Sequence, residues 1–174
     1  MMSRRRAAAT AAAVVVAAGA GAAGLVWRQR QETERQAEAG LWARRFTQPD
    51  GGELDLARWR GRPLVVNFWA TWCAPCVKEM PALDRFHRSV APRGWQVVGL
   101  AIDRRDAVQE FLRRLPVGFP IGLAALDGTE LARMLGNPSG ALPFTVMFNA
   151  AGRVVHRKLG ETSFEELMRW ADAG

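Results

Sequence analysis

The side chains with the most to say about chemistry are the only two cysteines in the chain, Cys73 and Cys76, in Trp72-Cys73-Ala74-Pro75-Cys76. Two thiols at this spacing can trade electrons with a client. One sulfur, as thiolate, attacks a disulfide, and the other resolves the mixed disulfide that forms. The elements around the pair must position it for this. Leu64-Val65-Val66-Asn67-Phe68-Trp69 is a short apolar, β-branched and aromatic run that reads as a buried central strand. Val77 to Arg88 reads as a helix. Cys73 then sits at a helix N-terminus, where unpaired N–H groups and the positive end of the dipole favour thiolate over thiol. Cys76, one turn on, shares its face.

Other uses of the pair fit less well. A four-ligand zinc site needs a second pair of ligands, and the only histidines, His87 and His156, have no spacing that completes one. Attachment of a c-type haem needs His directly after the second cysteine, where Val77 stands. A purely structural bridge over so tight a loop removes little entropy from the unfolded chain. No metal and no cofactor are expected, and His156 is read as a polar strand residue without a metal or catalytic role.

The chain has 174 residues, enough for one ordinary domain with an appendage. Three charges of the net +7 come from Arg4-Arg5-Arg6, and the other arginines, with doublets at Arg44-Arg45, Arg104-Arg105 and Arg113-Arg114, are scattered along the chain and not massed on one stretch with interleaved aromatics, which argues against dedicated nucleic-acid binding. Residues 1–27 pair that basic cluster with an uncharged run of 21 residues, Ala7 to Trp27. As a helix the run reaches roughly 31 Å, the thickness of a bilayer core. A retained anchor is the preferred reading, with the positive flank cytoplasmic and the rest on the far side. A cleaved signal peptide is the alternative, because Ala18-Gly19-Ala20 and Ala20-Gly21-Ala22 are both small-x-small sites. Either exports the domain to a compartment where disulfides persist. Residues 28–45 read as a charged tether or frayed helix, and the domain is expected over 46–174.

Within the domain, Asp50-Gly51-Gly52 is a turn between short extended pieces. Gln96 to Ile102 reads as a strand, Asp106 to Leu115 as a helix stopped by Pro116, and Phe119 to Leu126 as weak, glycine-containing strand material. Thr129 to Leu135 reads as a short helix. Val154 to Lys158 is a further strand, and Ser163-Phe164-Glu165-Glu166 a helix capping box. Pro143 stands before a buried strand, where a turn or cis bond is expected. Glu79, three residues after Cys76, is by spacing either a proton acceptor for that sulfur or a solvent-facing glutamate in an ion pair.

The block Val66 to Pro81, with Asn-Phe-Trp-Ala-Thr before Trp-Cys-Ala-Pro-Cys, resembles the active-site block of the thioredoxin superfamily, specifically the TlpA/ResA-like membrane-associated thiol-disulfide oxidoreductases. The likeness runs from about Phe46 to Trp170, and Ala141 to Asn149 resembles the cis-proline loop and following strand. It implies an α/β, three-layer thioredoxin-like fold with a central mixed β-sheet, an N-terminal β-hairpin and an inserted strand–helix. It implies Cys73 as attacking and Cys76 as resolving sulfur, joined in a redox-active disulfide, with Glu79 handling the proton because Asn67 stands where thioredoxin has an ionisable aspartate. Trp72, Pro75, Leu142 and Pro143 are the implied substrate-binding residues, and Phe144 is expected to alter substrate fit. The implied function is an extracytoplasmic reductase, monomeric, at the periplasmic side of the inner membrane. It would act on protein disulfides such as those of apocytochrome c and draw electrons from a membrane thiol reductase. A DsbA-like oxidase and a Cu(I) chaperone are the alternatives.

Overall fold

The computed structural model describes the backbone of residues 4–173 and the side chains of residues 21–173. In chain order the elements are α1 (Arg4–Trp42), β1 (Arg45–Thr47), β2 (Glu53–Asp55), β3 (Leu64–Trp69), α2 (Ala74–Val90), β4 (Gln96–Ala101), α3 (Arg105–Arg114), β5 (Ile121–Leu123), α4 (Ala125–Met134), β6 (Phe144–Phe148), β7 (Val154–Leu159) and α5 (Phe164–Ala173). The strands form one mixed sheet in the order β2-β1-β5-β4-β3-β6-β7. Helices α2 and α3 are the crossovers that let β3, β4 and β5 run parallel, while β6 and β7 fold back antiparallel.

β3 lies between β4 and β6 and is buried along its whole length, which is why it is apolar without alternation. Its two faces serve different layers. Val65 and Trp69 pack with Met80, Leu83 and Phe86 of α2, Val108 and Phe111 of α3, and Leu167 of α5. Leu64, Val66 and Phe68 face the opposite layer, with Leu131 and Leu135 around α4 and Phe144, Val146 and Phe148 of β6. The expected hairpin is present as β1 and β2, and the inserted strand–helix as β5 and α4. β5 is weak in sequence because of Gly122. A Cβ there would come within 2.8 Å of Leu54 and 2.9 Å of Phe46, so the hairpin can lie over β5 only if that position is bare.

The tether expected over 28–45 gives way earlier than the sequence suggested. Ala37, Glu38, Leu41 and Trp42 are buried, and a compact unit begins at Ala37. The reason is an Ala37, Leu41, Trp42 stripe on one helical face, too short to stand out from the charged run before it. Glu38 accepts from the Val154 N–H at 2.8 Å and pairs with Arg153. Trp42 meets Phe148 edge-on at 5.7 Å. Trp42→Ala should therefore cost about 3–5 kcal/mol in urea unfolding of the full chain. A loss below about 1 kcal/mol would show that this end of α1 does not belong to the core.

The expected anchor or signal peptide falls on residues 1–27, of which 1–20 lie outside the described side chains. Among the described residues no helix is long and apolar enough to cross a membrane.

Candidate active site

Strand β3 ends at Trp69 and delivers the chain to the turn Ala70–Cys73, closed by the Cys73 N–H donating to the Ala70 carbonyl at 3.2 Å. Cys73 is the N-cap of α2, with extended backbone, and Pro75 occupies the first turn, where a missing N–H costs no helical bond. Cys73 and Cys76 are joined in a disulfide, S–S 2.08 Å. The Cys76 N–H points at Cys73 Sγ, 3.3 Å away, so the first sulfur lies where the helix offers an unpaired donor and its positive end. Cys73 retains 6 % exposure and Cys76 none, so a client can reach only the first.

Trp72 is 69 % exposed beside the pair. Leu142 packs partly buried against the core that holds both cysteines, and the Leu142–Pro143 bond is cis, with Pro143 buried. The structure thus gathers Cys73, Cys76 and Leu142 in one apolar cluster, while Trp72 and Pro75, next to the cysteines in the chain, are exposed. Phe144 does not join them. It is buried on the opposite face of the sheet, stacked on Phe68 at 5.8 Å, so it fills core and does not line a substrate surface.

Glu79 is not a solvent-facing glutamate: it is 1 % exposed, on the α2 face that carries Cys76. One carboxylate oxygen accepts from Asn67 Nδ2 at 2.7 Å and the other from the Thr162 N–H at 2.7 Å. Asn67 Nδ2 also donates to Thr145 Oγ1 at 3.0 Å, and Thr162 Oγ1 donates to the same oxygen at 3.3 Å. This closes a buried ring of four residues. Burial pushes the Glu79 carboxyl up to about 7, against the lowering pull of the hydrogen bonds from Thr162 and Asn67. The group can therefore take up or release a proton near neutrality, one helical turn from the second sulfur.

Thr145 and Thr162 escaped the sequence reading. Thr145 had a signal: it is the polar break in Phe144-Thr145-Val146-Met147-Phe148 and lies directly across from Asn67, the polar break in β3. Thr162 had none, because it reaches the carboxylate through its backbone N–H. Lys78, the neighbour of Glu79, is exposed and forms an ion pair with Glu161 at 2.8 Å. The capping box is half made. Ser163 Oγ caps the Glu166 N–H at 3.2 Å, but the Glu166 carboxylate turns to Lys158. His156 stacks on Trp170, and no group of three or more His, Cys, Asp or Glu side chains that could hold a metal ion occurs among the described residues.

Comparison with known proteins agrees with this geometry. The Redoxin family model matches residues 37–168. The thiol-disulfide oxidoreductase ResA of Bacillus thuringiensis subsp. konkukian is 32 % identical over 152 residues, covering 84 % of this chain and 85 % of that protein. Among solved structures, a thiol:disulfide interchange protein of the thioredoxin family from Chlorobium tepidum TLS superposes with a TM-score of 0.66 at 26 % identity, over 75 % of this chain and 91 % of that one. A secreted Mycobacterium tuberculosis disulfide oxidoreductase homologous to E. coli DsbE gives 0.65 at 25 % identity, over 78 % and 98 %. A cysteine pair capping a helix, on a sheet of this order and with relatives matched over most of their length, leaves one assignment: the chain belongs to the Redoxin family and is a thioredoxin-like protein thiol-disulfide oxidoreductase.

Proposed function

We propose that the protein is an extracytoplasmic reductase of protein disulfides, with Cys73 as attacking sulfur, Cys76 as resolving sulfur and Glu79 as proton carrier. The observation that carries the assignment is the asymmetry of the pair: Cys73 partly open at the helix N-terminus, Cys76 fully covered beside a buried carboxyl. The Cys73 thiolate attacks a client disulfide, forming a mixed disulfide and releasing one client thiolate. Cys76 then gives its proton to Glu79, attacks Cys73 Sγ, forms the internal bridge and expels the second client thiolate. In sum, two electrons leave the protein dithiol and the client gains two thiols, one protonated by the Cys76 proton that Glu79 passes on and the other by solvent. Trp72, Pro75, Leu142 and Pro143 form the surface and backbone against which the client segment lies.

The secreted Mycobacterium tuberculosis relative supports placement outside the cytoplasm, and residues 1–27 would act as anchor or cleaved signal. The ResA likeness supports thiol-disulfide exchange as the activity; in our reading the client is apocytochrome c before haem attachment, a membrane thiol reductase restores the dithiol and the working form is a monomer. Cells expressing Cys76→Ala should accumulate a mixed disulfide on Cys73, identified by mass spectrometry. Apocytochrome c as the trapped client confirms the reductase reading, whereas many unrelated exported proteins would show a general reductase or a DsbA-like oxidase. No trapped client, with stoichiometric Cu(I) retained by the wild type, would replace the enzyme with a copper chaperone.

A further inference from the structure

The structure holds the redox turn from a side that the sulfur chemistry does not use. β3 and β4 run parallel to their ends, where the Ile102 N–H donates to the Trp69 carbonyl at 2.8 Å. Beyond that bond the two chains part, one into the redox turn and the other toward α3. Asp103 bridges the gap. Its Oδ2 accepts from the Thr71 N–H at 2.9 Å and from Thr71 Oγ1 at 2.5 Å, and its Oδ1 accepts from the Arg104 N–H at 2.7 Å. Only a carboxylate can take all three, because an amide has a single acceptor oxygen. Burial raises the Asp103 carboxyl, but the bonds from Thr71 and Arg104 outweigh it and hold the group below its usual range, so the clamp is charged at neutral pH. Trp72, the next residue, is largely exposed, so packing of its ring does little to fix the turn.

We propose that Asp103 is a positioning residue for the redox pair: by holding both donors of Thr71 it fixes the turn from which Cys73 meets Cys76. This rests on the reading of Cys73 as the attacking sulfur. The stability of an internal disulfide depends on how concentrated each thiol is at the other, and a loosened turn lowers that effective concentration. Weakening the clamp therefore shifts the pair toward its open, reduced form.

The test is the equilibrium of the full chain with glutathione, in which the protein disulfide and two glutathiones give the protein dithiol and glutathione disulfide. Asp103→Ala should favour the dithiol by about tenfold, which is about 30 mV for a two-electron couple. Thr71→Val, which keeps the N–H and loses only the hydroxyl, should move the constant the same way by a smaller factor, and Thr71→Ser should restore the wild-type value. The double variant should move it no further than Asp103→Ala alone, because both changes break one contact. Urea midpoints measured on the oxidised forms identify a merely structural role, which would lower stability and leave the glutathione constant unchanged. Should Asp103→Ala not fold, Thr71→Val and Thr71→Ser carry the test. Wild-type constants in the variants, or effects that simply add, would overturn the clamp. Alkylation of the reduced wild type first at Cys76 would instead overturn the assignment of the attacking sulfur on which the clamp depends.

Discussion

Replacement of Cys73 by Ser is expected to reduce disulfide exchange to the uncatalysed rate, whereas Cys76→Ser should stop turnover yet leave the first half-reaction intact. A serine hydroxyl remains protonated in any physiological range, so the amide and dipole at the start of α2 have no anion to stabilise. In the wild type they act on a sulfur that the Cys76 N–H already approaches at 3.3 Å. Cys76 cannot substitute for it, because its sulfur is fully covered. The measurement is steady-state reduction of a disulfide-linked fluorescent peptide under excess reductant, together with intact mass after a single exposure to that peptide. Cys73→Ser should show neither turnover nor adduct, and Cys76→Ser one stable adduct per chain. Adduct formation by the first variant and not the second would reverse the two roles.

Glu79→Gln should slow the reductive half-reaction by about 10²-fold, the lower end of what a positioned proton carrier contributes, and flatten its dependence on pH. In the wild type the rate should rise as pH passes through about 7, where the buried carboxyl becomes able to accept the Cys76 proton. The glutamine amide of the variant cannot ionise, so the inflection should vanish; an inflection that persists in the variant would assign it to another group.

The same carboxyl leaves a mark on stability, and its sign follows from the raised pKa. The folded state binds the Glu79 proton more tightly than the unfolded state, so between about 4.5 and 7 the folded form holds more protons and stability falls as pH rises. Below this window the carboxyl is neutral in both states and its burial carries no charge penalty. Above it the folded protein bears the whole cost, on the order of 3 kcal/mol. Urea unfolding of the oxidised form should show this decline in the wild type and not in Glu79→Gln. Above the window the variant escapes that charge cost but gives up a hydrogen bond, because a glutamine amide cannot accept through both of its terminal atoms from Asn67 and Thr162 as the carboxylate does. The difference in slope between the two proteins is therefore the decisive reading, and equal slopes would place the Glu79 proton elsewhere in the range.

Much of this was legible in the order of residues because the chemistry is local. The helix N-cap, the two-residue gap and the three-residue step to Glu79 are all set by the 3.6-residue period of a single helix. β3 announced itself by its unbroken apolar run, since a strand covered on both faces needs no alternation. The end of α1 did not, because its apolar stripe is brief and follows a long charged stretch. Phe144 misled for a related reason. Adjacency in the chain puts it next to the cis proline, while the two-residue period of β6 turns it to the far face and gives the near face to Thr145.

The sulfur pair proposed to react is thus written in a handful of consecutive residues, because a thiol pair at the mouth of a helix needs no distant partner to be specified. Whether Glu79 is a surface charge or a neutral-range acid is a matter of packing. It depends on Asn67, Thr145 and Thr162, which come from separate strands and loops and meet only when β3 pairs with β6 and the chain before α5 closes over them. Packing likewise brings Asp103 to Thr71, across a gap of 32 residues. Burial excludes water from the carboxyl only once the sheet has formed, and water is what keeps an ordinary carboxyl near 4.5; the hydrogen bonds from Thr162 and Asn67 pull the other way without cancelling that burial.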